Sequence, residues 1–142
     1  MHAWSYRYLV LLGIPISIFC SVLIPPGAAQ SDAHQKWIAP AAEAQKKNPI
    51  PVDDASLSAG KKVYVKRCAS CHGNTGNGDG PDAVDLGIHP ARFVDPGTLE
   101  DTDGALFWKV SVGRKPMPDY GRKLSPTERW SVINYIRTLA RK

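Results

Sequence analysis

The stretch Cys68-Ala69-Ser70-Cys71-His72 reads C-x-x-C-H. Residues three and four apart on a helical turn share a face, so two thiols at this spacing can bond one flat group from one side. The histidine that follows can turn its ring under that group. This is the attachment signature of a c-type haem. Other chemistries use C-x-x-C. A zinc site needs four N/S ligands, and no second C-x-x-C is present. A thioredoxin-type pair needs a βαβ setting that the text does not supply. A plain disulfide explains the thiols but not the histidine.

Working outward, the chain has 142 residues, of which 43% are hydrophobic and 22% charged, which describes one small globular domain with appendages. Three cysteines cannot all pair internally, so a disulfide scaffold is not expected. The formal net charge is +5 without a Lys/Arg run, so no nucleic-acid arm is expected and no nucleic-acid partner is assigned. Only one long apolar run exists, at residues 9–24, which excludes a multi-span membrane protein.

That run follows a short head with Arg7 and precedes Pro25-Pro26-Gly27-Ala28-Ala29-Gln30. A basic head, an apolar run and a small-residue exit describe a secretory signal peptide, residues 1–29, cut after Ala29. The run of sixteen residues falls short of the roughly 20 that span hydrocarbon, and Pro15 interrupts it. If the segment is kept, it ties the chain to a membrane instead. Phe19 is too bulky to precede a lipidated Cys20. Export places the mature chain in the periplasm or on the extracytoplasmic side of a membrane, an oxidising compartment.

Residues 30–55 are rich in Ala, Pro, Lys and Gln, and Pro40, Pro49 and Pro51 interrupt any long helix. We read a Pro/Ala-rich linker or docking arm, with Trp37-Ile38 able to dock on the domain. The domain occupies 56–142. A helix is expected over 58–70, capped by Ser58, with Gly60, Val63 and Tyr64 on its packed face. A Gly/Asn/Asp loop follows at 73–81. A second helix is expected over 103–112, with Leu106, Phe107 and Val110 inward and Gly113 as its stop. Ser125-Pro126-Thr127-Glu128 is a capping box with Pro at the first helical position, opening a last helix to about residue 140. Its buried side is Trp130, Ile133, Tyr135, Ile136 and Leu139. No strand is expected. The class is all-α and loop-rich, too small for a generous core, and a domain of that kind needs a staple.

A haem iron has two axial positions. His72 takes one. The chain holds two methionines, Met1 and Met117, and Met117 sits in Gly113-Arg114-Lys115-Pro116-Met117-Pro118, where two prolines stiffen the backbone. A thioether at a fixed loop position suits the second. His89, in Ile88-His89-Pro90, is the rival. The glycines at 73, 76, 78 and 80 lack the Lys-Ser/Thr of a P-loop, and aligned on an EF-hand they put Leu86 where the bidentate Glu belongs. They suit a tight wrap around a haem edge.

Residues 60–139 resemble a class I monohaem cytochrome c of the bacterial, exported type. Gly60 and Tyr64 resemble the small–aromatic pair of that family's first helix, and Val132, Tyr135 and Ile136 the last-helix residues that cross it. The resemblance implies a cytochrome c fold, three to four helices wrapped around one covalently bound haem c. It implies thioethers at Cys68 and Cys71 and axial ligands His72 and Met117. Gly78-Asp79-Gly80-Pro81 resembles the loop whose proline carbonyl, here that of Pro81, accepts from the ligand histidine. Trp108 and Arg92 are candidates for the haem propionates.

Such a site has no open coordination position, so one-electron transfer is expected rather than enzymic catalysis. An exported carrier is the leading expectation. A cytochrome c subunit of a larger dehydrogenase or oxidase complex is the alternative, and a haem sensor or peroxidase with a displaceable Met117 is a third. Arg114, Lys115, Arg122 and Lys123 outnumber Asp119 around Met117, which points to acidic-surfaced redox partner proteins.

Overall fold

The computed structural model describes residues 36–140. The segment expected to be a signal peptide and the first residues of the expected arm lie outside the described residues. Seven helices run in the order α1 Ala41–Ala44, α2 Asp54–Arg67, α3 Ala69–His72, α4 Pro81–Leu86, α5 Pro96–Leu99, α6 Asp103–Val112 and α7 Pro126–Leu139. No strand occurs among the described residues, so the class is all-α. None of the described helices is long and apolar enough to cross a membrane.

Helix α2 starts four residues before the expected position. Asp53, not Ser58, is its cap: the Asp53 carboxylate accepts from the Ser56 N–H at 2.7 Å, and the Ser56 hydroxyl accepts from the Asp53 N–H at 3.2 Å. It also ends early. Cys68 leaves helical geometry at φ −119°, and α3 resumes after it, so the motif occupies one separate turn. Helix α6 has the expected bounds, capped by the Thr102 hydroxyl at 3.1 Å from the Ala105 N–H and closed by Gly113. Helix α7 carries the expected capping box of Ser125 and Glu128.

The frame is the crossing of α2 and α7. Gly60 lets the two backbones meet, since a Cβ there would overlap the Ser131 carbonyl and press on Tyr135. Around that contact Val63, Tyr64, Phe93, Tyr120, Leu124, Val132, Ile136 and Leu139 are buried together. A second cluster joins Leu106, Trp130 and Ile133, with Phe107 stacked on Trp130 at 4.0 Å between centroids. Tyr64 is fully buried, and its hydroxyl donates to the Gly73 carbonyl at 2.7 Å, which satisfies the polar tip and ties α2 to the loop after the motif.

From Lys36 onward the segment read as a linker packs on the helical body, and Lys36–Lys142 form one compact unit. Residues 36–55 therefore lie packed on the domain. Asn134 is the reason. Its side-chain amide, 3% exposed, donates to the Ile50 and Pro51 carbonyls at 3.2 and 3.1 Å and accepts from Asn48 at 2.8 Å. The Ile50 and Pro51 carbonyls take their partner from α7.

Candidate functional site

A cavity of about 440 Å³ opens between α3, α4 and the 114–118 loop. Cys68, Cys71, His72 and Met117 all line it. So do Leu86, Ile88, His89, Pro90, Arg67, Asp82, Arg114, Lys115, Tyr120 and Trp37.

The motif turn is held on both sides. The N–H groups of Cys71 and His72 donate to the Cys68 carbonyl at 3.2 and 2.8 Å. The glycine loop then folds back: Gly78 N–H donates to the His72 carbonyl at 2.8 Å and Gly80 N–H to the Cys71 carbonyl at 3.2 Å. The expected wrap is thus a set of backbone bonds to the motif itself. Cys68 and Cys71 are free thiols, half-buried. Before haem is joined, burial and, to a smaller extent, the neighbouring Cys71 push the Cys68 thiol up to about 12.

The His72 ring is fixed twice. Its Nδ1 lies 3.0 Å from the Ala91 carbonyl, and Phe93 stacks on its face at 4.6 Å and 18°. As donor to a carbonyl, Nδ1 carries the proton and leaves Nε2 with the lone pair. Burial lowers the ring's pKa, against the smaller opposite effect of the Ala91 bond, so the imidazole is neutral.

Met117 sits on a turn closed in both directions: Arg114 N–H donates to the Met117 carbonyl at 3.1 Å and Met117 N–H to the Arg114 carbonyl at 2.9 Å. Tyr120 braces the turn against the motif, its hydroxyl donating to the Arg67 carbonyl at 2.7 Å. Two cysteine sulfurs, an imidazole with a free lone pair and a thioether thus share one largely apolar wall. No group of three or more His, Cys, Asp or Glu that could hold a bare metal ion occurs among the described residues.

Residues 55–136 match the family model described as cytochrome c oxidase, cbb3-type, subunit III. The chain belongs to this family of c-type cytochromes. Cytochrome c6 from Chlorolobion braunii is 29% identical over 83 residues, covering 58% of this chain and 90% of that protein. Cytochrome c6 from Bumilleriopsis filiformis is 26% identical over 86 residues, with the same coverage of 58% and 90%. Among solved structures, the Kuenenia stuttgartiensis reducing HAO-like protein complex Kustc0457/Kustc0458 superposes with a TM-score of 0.56 at 31% identity, covering 64% of this chain. The match spans 46% of that chain, less than half its length. The KustC0563 c-type cytochrome has the same fold, with a TM-score of 0.50 at 24% identity, over 56% of this chain and 95% of that one. A c-type cytochrome carries its haem c covalently and uses it for electron transfer.

One expected contact of this cytochrome falls elsewhere. The carbonyl at the His72 ring is that of Ala91, not Pro81. Pro81 opens α4, where its fixed φ suits the first helical position, and the chain after α4 returns to the ring. Arg92 does not line the cavity; it pairs with Asp95 at 3.3 Å, half-exposed. Trp108 packs on Trp37 at 5.9 Å between centroids and is likewise off the cavity wall. Arg114 and Lys115 line the cavity as expected, whereas Arg122 pairs with Asp119 at 3.8 Å and the Lys123 ammonium lies over the Tyr120 ring at 5.9 Å. His89 shares the wall but is exposed.

Sequence reasoning missed Ala91, Phe93, Arg67 and the cavity position of Trp37. Arg67 was findable, since it precedes the first cysteine on the last turn of a predicted helix. Ala91 acts through its backbone, and no side chain announces it.

Proposed function

We propose that this cytochrome moves single electrons through a haem c joined to Cys68 and Cys71 and ligated axially by His72 and Met117. It does so as an exported carrier in the periplasm or on the extracytoplasmic side of a membrane. The haem iron supplies the one-electron couple. The observation that carries the reading is that all four donor side chains share one cavity wall, with the His72 Nδ1 engaged and its Nε2 left to coordinate. The chain's own residues then do three things. Ala91 and Phe93 orient the imidazole, the bridged 114–117 turn presents the thioether, and Leu86, Ile88 and Pro90 keep water from the porphyrin plane. With both axial positions filled no substrate can be activated at the metal, so the protein is a carrier and not an enzyme.

Arg67, Arg114 and Lys115 on the cavity wall favour acidic-surfaced redox partners. A second reading, a cytochrome c subunit of a larger complex, is favoured by the description of the matching family and by the complex that shares the fold. Purification under native conditions separates the two: a carrier elutes alone, a subunit with its complex.

The test of the haem is a mass increment of one haem that survives acid–acetone extraction, with a haem c pyridine haemochrome spectrum. Met117→Ala is then expected to lose the far-red sulfur–iron absorption band. Persistence of that band in the variant excludes Met117 as ligand.

A further inference from the structure

The family match begins at residue 55, so residues 36–54 lie outside it, yet they are held on the body at several points. Asn134 anchors residues 48–51 from inside α7. The Thr102 hydroxyl donates to the Ala44 carbonyl at 2.6 Å. Gly104 lets the backbone of residues 43–46 sit directly on α6, where a Cβ would overlap three carbonyls. This much anchoring exceeds what a solvated tether needs.

What the arm delivers is Trp37. The indole is half-buried, tilted against Trp108 at 5.9 Å, and lines the same cavity as Met117. The Arg114 guanidinium lies over its ring, 4.9 Å from the centroid. Arg114 is the residue whose backbone pairs with Met117 in both directions. A continuous path of contacts runs from the anchored arm through the Trp37 ring and Arg114 to the backbone that carries the thioether.

We propose that residues 36–54 are a clamp on the cofactor site, with Trp37 as the positioning residue that steadies the Arg114–Met117 turn. The proposal rests on Met117 being an axial ligand. Cation–π contact with the indole restrains the guanidinium, and through the two backbone hydrogen bonds it restrains the turn. Without the clamp the turn opens more often, and the sixth coordination position is free for a larger fraction of the time.

The experiment uses the full-length holoprotein, reduced, with carbon monoxide as the probe, since carbon monoxide can add only while the sulfur is away. Trp37→Ala is expected to bind it roughly two- to thirtyfold faster than wild type, the factor that corresponds to one cation–π contact. Trp37→Phe keeps a ring under the guanidinium and is expected to stay near wild type. Arg114→Gln is expected to speed carbon monoxide binding as well, and the double variant to fall short of the product of the two single effects, because the Trp37–Arg114 contact is lost in each. Should Trp37→Ala fail to accumulate, Arg114→Gln carries the same test. Wild-type carbon monoxide kinetics in a folded Trp37→Ala or Arg114→Gln protein overturn the clamp. Failure of the axial assignment looks different: Met117→Ala itself would then bind carbon monoxide no faster than wild type, and the clamp would fall with it. Fast binding by Met117→Ala together with unchanged Trp37→Ala sinks the clamp alone.

Discussion

Met117 and His72 are presented by quite different means. The thioether rides on a four-residue turn closed by two backbone bonds, whereas the imidazole is gripped directly by the Ala91 carbonyl and the Phe93 ring. A thioether favours reduced iron. Replacing Met117 by Ala is therefore expected to lower the reduction potential, within the roughly 0.8 V span that axial ligands command, as read by redox titration. Tyr64 makes a separate residue-scale prediction. Its hydroxyl is the buried partner of the Gly73 carbonyl at 2.7 Å, and Tyr64→Phe leaves that carbonyl unpaired. The expected cost is about 1–3 kcal/mol in urea unfolding of the holoprotein. The residues proposed as ligands could be named from the sequence because their chemistry is in their side chains: two thiols and a histidine in five residues, and one methionine left for the loop. The second contact of His72 was not, because a backbone carbonyl has no residue type. Arg92 and Trp108, the propionate candidates, each have a protein partner in the structure. A charge or an indole near the motif in sequence says nothing of which neighbour it will prefer, and each found a nearer partner in Asp95 and Trp37.

Helix ends were legible where a cap and a proline coincide. Ser125, Pro126 and Glu128 fix the start of α7, and Gly113 the end of α6. The start of α2 was misread because Ser58 looks like a cap, whereas the cap is Asp53, whose box partner Ser56 is held by tertiary bonds to Pro51 and Asn134. The α7 cap yields a prediction with a definite sign. The Glu128 carboxylate accepts from the Ser125 N–H at 2.8 Å and its hydroxyl at 2.9 Å, which holds its pKa below the usual carboxylate range. Stability from a depressed pKa is present above the unfolded value, near about 4.3, and is lost as pH falls through the lower folded value. Ser125→Ala is expected to cost about 1 kcal/mol at neutral pH, and its stability should then fall less steeply than that of wild type as the pH is taken below about 4. Gly60 tests the crossing itself. Gly60→Ala puts a Cβ into the Ser131 carbonyl, and forcing α2 and α7 apart is expected to cost about 1–3 kcal/mol, seen as a lower denaturation midpoint.

At the scale of the whole molecule the charge distribution matters more than any one contact. The formal net charge is +5, and three cations, Arg67, Arg114 and Lys115, share the cavity wall with one exposed carboxylate, that of Asp82. A like-signed cluster beside the route of the electron attracts a partner of opposite sign and orients it before contact. Such steering acts on the encounter rate and is screened within about 8–10 Å at ordinary ionic strength. The double substitution Arg67→Glu and Lys115→Glu reverses the sign of that wall without touching Cys68, Cys71, His72 or Met117. Its reduction by an acidic-surfaced redox protein, followed by stopped flow at low salt, is expected to slow by a factor on the order of 10 to 1,000. The deficit should shrink steadily as salt is raised, because the lost attraction is screened in wild type as well. A small uncharged reductant must reduce both proteins at the same rate, which separates a steering effect from a change in potential. Equal slopes of log rate against ionic strength for wild type and variant would mean that the partner docks on another face, and the acidic-partner reading would be withdrawn.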